Sequence, residues 1–194
     1  MGKERLAAFS DGVIAIIITI MVLELKVPHG SDWKALMAVT PNFVSYVLSF
    51  IYLAIYWNNH HHLLYTIARV DGLILWANSF LLFWLSLVPA ATAWMGENFL
   101  VPIPTAFYGG ILLMPAIAYH LLQRAILRRQ GSDSVLANAL GTDIKGKISP
   151  VLYAAAIVLA FVSPWISIAI YVMVAVIWLV PDRRIEDVFR EEDK

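Results

Sequence analysis

Apolar residues run along this chain in long blocks separated by short polar breaks, and several blocks are long enough to cross a bilayer. A spanning helix needs roughly 20 mainly apolar residues for a hydrocarbon core of about 30 Å. The first block predicts a span over 6–25, which stops before Lys26 and Pro28. The stretch 27–40 is polar and interrupted by Gly30, Asp32 and Lys34; Pro41 then suits the first turn of a second span over 41–65. Arg69 and Asp71 mark a turn before a third span over 72–95, and Pro104 opens a fourth over 104–127 that ends before Arg128 and Arg129. The stretch 130–147 is polar, rich in Gly, Ser, Asp and Asn. Residues 148–180 are apolar throughout; as one helix they would measure roughly 50 Å, too long for the bilayer. Ser163-Pro164 divides them into spans over 148–163 and 165–180. The expected fold class is all-α: a six-transmembrane-helix bundle forming a single integral membrane domain over 1–194.

Composition agrees with that solvent. The chain of 194 residues is 60% hydrophobic and only 14% charged, with a mean hydropathy of +0.74. Soluble domains carry about 25% charged residues. Fourteen Lys and Arg balance fourteen Asp and Glu, so bulk charge points to no nucleic-acid partner. The absence of cysteine excludes disulfides, thiolate metal sites and cysteine catalysis. No small-residue cleavage site follows the first apolar block, where Glu24, Lys26 and Pro28 stand instead, so that segment is expected to be retained.

The distribution of cations sets the expected topology. With six spans and the amino end inside, the cytoplasmic segments hold Lys3, Arg5, Arg69, Arg124, Arg128, Arg129, Lys145, Lys147, Arg183, Arg184, Arg190 and Lys194, while the outer segments hold only Lys26 and Lys34. Cytoplasmic loops attract Lys and Arg, and five spans would export the tail cations. The expectation is a multi-pass protein of the inner (plasma) membrane with both termini in the cytoplasm.

The first helix carries unusual chemistry. Arg5, Ser10 and Asp11 lie at or inside the start of an otherwise apolar span. An ionisable group at membrane depth costs at least about 2.5–3.5 kcal/mol on insertion scales and rarely faces lipid. Arg5 is either a headgroup anchor or a pore group; Asp11 is either a structural carboxylate near a helix start, where the dipole favours it, or a contact for a permeant ion. Helical phase stacks Ile16, Ile20 and Leu23 on one face, with Phe9 below them and Thr19 beside them, and projects Asp11 to nearly the opposite side. Taken alone, such a stripe is also ordinary helix packing. Trp57, Asn59, His60, His61 and His62 cluster at the inner end of the second helix, and Asp71 and Asn78 open the third. Adjacent helical residues point about 100° apart, so the three histidines cannot all ligate one metal; a polar network is expected there, and no metal site.

The pattern Arg5-x3-Phe9-Ser10-Asp11-x3-Ala15, followed by Leu23-Glu24-Leu25, Trp57-x-Asn59-His60-His61-x-Leu63, Asp71, Asn78, Pro89 and Thr92, resembles the endosomal and lysosomal potassium channel family called transmembrane protein 175, including its bacterial homologues. The resemblance spans roughly residues 5–95. It implies a cation channel conducting potassium, with one six-helix repeat in this chain and a homotetramer assembled as a ring around helix one. It places a hydrophobic constriction at Ile16, further layers at Ile20 and Leu23, a polar position aiding selectivity at Thr19, and a structural network at the inner end from Arg5, Phe9, Ser10, Asp11, Trp57, His60 and Asn78. Leu64 stands where the family pattern has Phe.

The residues suggest how such a path would work. A potassium filter of the Thr-Val-Gly-Tyr-Gly kind is missing, and Tyr108-Gly109-Gly110 falls within a helical span. Rings of aliphatic side chains resist wetting and make a passing ion shed water, which favours the more weakly hydrated potassium over sodium with modest selectivity; dewetting there also provides a gate. Glu24 and Glu97 near the outer mouth either concentrate cations or are simply solvated loop acids. The expected partners are further copies of the chain, the lipid bilayer and monovalent cations, with no cofactor beyond the permeant potassium. The runner-up is a proton-conducting or proton-coupled transport protein using Asp11 and the histidines, and a membrane scaffold without transport is a third class. No nucleophile–base pair, phosphate loop or metal motif indicates an enzyme.

Overall fold

A computed structural model describes residues 2–67, 69–130 and 143–179. All regular structure among them is helical: α1 (Lys3–Leu23), α2 (Trp33–Tyr65), α3 (Gly72–Ser86), α4 (Val88–Glu97), α5 (Pro102–Gln130), α6 (Ile144–Leu159) and α7 (Pro164–Leu179). α1, α2, the α3–α4 pair and α5 are each long and apolar enough to cross a membrane, and α7 is a shorter apolar helix. The tail cations Arg183, Arg184, Arg190 and Lys194, and the stretch 131–142, lie outside the described residues.

Several boundaries differ from the sequence reading, for reasons of capping. α2 starts at Trp33, eight residues before Pro41, because the Asp32 carboxylate accepts from the Ala35 amide at 2.9 Å and closes the first turn. Pro41 therefore sits inside the helix. At 33 residues α2 is roughly 50 Å long, well beyond the hydrocarbon thickness, so it projects past the core or tilts. α6 likewise begins at Ile144, four residues earlier than expected, because Asp143 accepts from the Gly146 amide at 2.9 Å. It ends at Leu159, and Pro164 starts α7.

The third span is two helices. Leu87 interrupts it, and its amide reaches Trp84 rather than the residue four back. Pro89 lies two residues on, where its ring has no N–H to give and crowds the carbonyl of the preceding turn. Asp71 caps α3 through the Ile74 amide at 3.0 Å and also meets Arg129 Nε at 3.6 Å, which pins the start of α3 to the end of α5.

α5 lies between α3 and α6, α7 packs on α6, and α1 packs on α2, α3 and α4. The core is aliphatic along α1, α3 and α4, with Ile14, Ile17, Met21, Leu81 and Leu85 all buried. Between α2, α5, α6 and α7 it is built from tyrosines. Tyr52 donates to the Tyr171 carbonyl at 2.5 Å, Tyr171 to the Thr105 carbonyl at 3.1 Å, and Tyr108 shares a 2.8 Å hydrogen bond with Ser49. A buried hydroxyl needs such a partner, since leaving it unpaired in an apolar interior costs free energy. Gly109 is required at its position: a Cβ there would run into the Tyr171 hydroxyl.

Candidate functional site

α1 divides its side chains cleanly between two faces. Leu6, Ser10, Ile14, Ile17 and Met21 are buried, spaced four, four, three and four apart, and face the rest of the bundle. The opposite face is exposed in the single chain and bulky: Phe9 is 57% exposed, Ile16 61%, Ile20 42% and Leu23 77%. Thr19 lies exposed on that side, with its hydroxyl returned to the Ala15 carbonyl at 2.9 Å. This face is free for lipid or for further copies of the chain.

The buried face is held by a polar chain through three helices. Asn78 on α3 donates to Ser10 Oγ on α1 at 2.9 Å, Ser10 donates to the Leu6 carbonyl at 2.9 Å, and Asn78 Oδ1 lies 2.7 Å from His60 Nε2 on α2. All three side chains are buried. An amide oxygen only accepts, so in this arrangement His60 Nε2 is the donor; His60 Nδ1 is buried with no hydrogen-bond partner among the described residues. A second tie joins α1 to α2, where Trp57 Nε1 donates to Asp11 Oδ1 at 3.0 Å.

The predicted network thus appears as two groups, Ser10–Asn78–His60 and Asp11–Trp57. Arg5 and Phe9 are not joined to them. They are exposed on the same side as Ile16, because positions 5, 9, 12 and 16 recur with the helical period. The three histidines diverge: His60 turns inward to Asn78, whereas His61 is exposed, its ring stacked near Trp57 at 6.2 Å and Tyr65 at 5.9 Å. At the other end, Glu97 forms an ion pair with Lys26 at 2.8 Å, both side chains being partly exposed. Its charge is therefore partly offset, which weakens its expected role in concentrating cations; Glu24 is exposed at the end of α1.

Sequence reasoning named Thr92 only as part of the family pattern and missed the group it joins. Thr92 on α4 donates to Ser49 on α2 at 2.7 Å, and Ser49 pairs with Tyr108 on α5 at 2.8 Å. Single hydroxyls scattered over three apolar spans give no periodic signal, so only their convergence reveals them.

Comparison with known proteins matches this architecture. A family profile described as endosomal/lysosomal potassium channel TMEM175 matches residues 5–89, the segment that holds α1 and both polar groups. A potassium channel of Chryseobacterium sp. (strain P1-3) is 53% identical over 98% of this chain and 100% of that one. The crystal structure of a lysosomal potassium-selective channel TMEM175 homolog from Chamaesiphon minutus superposes with a TM-score of 0.78 at 29% identity, covering 93% of this chain and 97% of that chain. The human endosomal/lysosomal proton channel TMEM175 is 39% identical over a stretch that covers 32% of this chain and 15% of that protein. With its signature residues on α1 to α3 and its whole length shared with a bacterial potassium channel, this multi-pass membrane chain belongs to the TMEM175 family.

Proposed function

We propose that the chain is the subunit of a potassium-permeable cation channel, in which four copies surround a path bordered by the exposed face of α1. The observation that carries this reading is the division of α1: Ile16, Ile20 and Leu23 stand out from the bundle while the opposite face is tied down by Ser10 and Asp11. A helix lining a path needs its bare face held at a fixed rotation, and two hydrogen-bonded groups below the stripe supply that hold. Arg5 and Phe9 border the inner entrance on this reading.

Conduction follows from the chemistry of the stripe. Rings of Ile16 offer an ion no oxygen in place of its hydration shell, so the barrier is set by dehydration. Potassium, which holds water less tightly, crosses more readily than sodium, and the preference is modest because no ligand is matched to one ionic radius. Thr19 returns its hydroxyl hydrogen to Ala15, which leaves the oxygen lone pairs facing outward next to the Ile16 and Ile20 layers. When the Ile16 ring dewets, the path closes without a moving lid. The channel sits in the inner (plasma) membrane with both termini in the cytoplasm, and it needs no cofactor.

Potassium flux from vesicles containing the purified chain, with sodium as comparison, tests the proposal; absence of flux overturns it. Proton conduction is the rival, favoured by the buried His60 with its unpartnered Nδ1. Reversal potentials that follow the proton gradient and ignore potassium would decide for that rival.

A further inference from the structure

On the flank of the bundle away from α1, the inner halves of α2, α5, α6 and α7 enclose a cavity that no part of the conduction reading uses. Its wall includes Tyr52, Tyr56, Tyr119, Tyr153 and Trp178, with Asp143 at the start of α6. Its volume, about 40 Å³, exceeds what a single water needs and lies far below that of sites for drug-sized molecules. Gly146 and Tyr153, both in the wall, place it along the first three turns of α6, within about 14 Å of that helix's start.

The rings are fixed, and several of their polar edges are already used. Tyr52 donates to the Tyr171 carbonyl at 2.5 Å, Tyr119 to the Asn59 carbonyl at 3.0 Å, and Trp178 Nε1 to Ser149 Oγ at 2.8 Å. Tyr56 and Tyr119 meet edge to face at 6.3 Å between centroids, and Tyr52 and Tyr153 approach to 6.2 Å. With donors spent on the protein, these residues present mainly aromatic surface to the void. Asp143 uses Oδ1 on the Gly146 amide and retains Oδ2. His120, Asn59, Gln123 and Ser149 complete the polar part of the wall, which holds no Lys or Arg.

Five aromatic side chains around a small void, with one acidic residue and no Lys or Arg, match the recognition of an ammonium group by ring quadrupoles. We propose that this cavity binds a small organic ammonium ion, of the quaternary or alkylated amine class, taken as a free solute from the side on which α6 begins. The aromatic walls stabilise a diffuse positive charge and Asp143 balances it. Hydrated potassium or sodium gains little here, because the surface turned to the void is mainly apolar and several polar groups of the wall are already engaged within the protein. The site stands apart from the conduction reading, since no residue of α1 lines it.

Binding of isotope-labelled tetramethylammonium to the full chain in phosphatidylglycerol vesicles tests this. The expected result is saturable binding that sodium and potassium displace poorly. Asp143→Asn keeps a side chain able to cap α6 and is expected to weaken binding about tenfold. Tyr56→Leu is expected to do the same, whereas Tyr56→Phe keeps the ring face and changes binding less than about twofold. The Ile16→Asn variant, altered on the far side of the bundle, is expected to bind as the parent does. Absence of saturable binding, equal binding by Tyr56→Leu and the parent, or loss of binding in Ile16→Asn overturns the proposal. Replacing part of the phosphatidylglycerol by phosphatidylcholine separates the sources of the group: unchanged binding supports a free solute, and competition overturns that form and assigns the cavity to a lipid headgroup.

Discussion

Asn78 on α3 donates to Ser10 on α1 at 2.9 Å, in the middle of a buried interface where neither side chain reaches solvent. The amide also meets His60 through its oxygen at 2.7 Å, so one side chain fixes three helices against each other. Water is scarce at such a depth, and a polar group there finds its partner in the protein or goes without one.

Asn78→Leu is therefore expected to destabilise the folded chain. Bonds between membrane helices contribute about 0.6 to 1.7 kcal/mol each, and two are lost, which places the effect at about 1 to 3 kcal/mol. Thermal unfolding in detergent, followed by the loss of monodisperse protein on size exclusion, measures it. A midpoint equal to the parent's would show that the three-helix link contributes nothing.

Asp11→Ala removes the acceptor of the Trp57 indole, and with it one of the holds on the rotation of α1. Assembly and expression are expected to fall more than conduction per assembled channel. Trp57→Phe keeps an aromatic ring and loses only the donor, so it should lie between the parent and Asp11→Ala. A normal assembly of Asp11→Ala with altered ion preference would place the carboxylate on the ion's route instead.

Ile16→Asn puts an amide on the most central exposed position of the α1 stripe. In the single chain Ile16 is 61% exposed, so the helix should fold and pack as before. Single-channel conductance is expected to rise and the preference for potassium over sodium to shrink, because the ring now wets. Bilayer recordings with bi-ionic solutions read both quantities. Unchanged permeability ratios would remove Ile16 from the constriction.

Two adjacent glycines of α5 should respond in opposite ways. A Cβ at Gly109 would run into the Tyr171 hydroxyl, whereas one at Gly110 meets nothing within 4 Å. Gly109→Ala is expected to cost about 1 to 3 kcal/mol by forcing α5 and α7 apart. Gly110→Ala should be neutral or stabilise by up to about 1 kcal/mol through the helix preference of alanine. Thermal melts of the two variants side by side decide, and equal melts would contradict the close approach.

How far the sequence could be read varied with the kind of signal. Blocks of apolar residues marked the helices, because burying backbone in lipid demands long runs of one character. Their ends were less legible. Asp32 and Asp143 each start a helix earlier than hydropathy suggests, since a capping carboxylate acts through one hydrogen bond and leaves no trace in an average over many residues. The break at Leu87 was hidden for the same reason, although Pro89 was its cause in plain view.

The candidate site shows the same division. Helical period alone put Phe9, Ile16, Ile20 and Leu23 on one face of α1 and Asp11 on the other, because side chains on a helix keep a fixed angular spacing whatever surrounds them. That the stripe is the face left bare, and not the one packed inward, was decided by where α2, α3 and α4 dock. The same docking split the expected inner network into Ser10–Asn78–His60 and Asp11–Trp57, left Arg5 and Phe9 outside it, and paired Glu97 with Lys26. The sequence by itself determined the solvent, the helices and the angular order of side chains within each, all of which depend on neighbours along the chain. Only the tertiary structure decided which groups meet across helices, because those distances depend on how separate segments rotate and pack against one another.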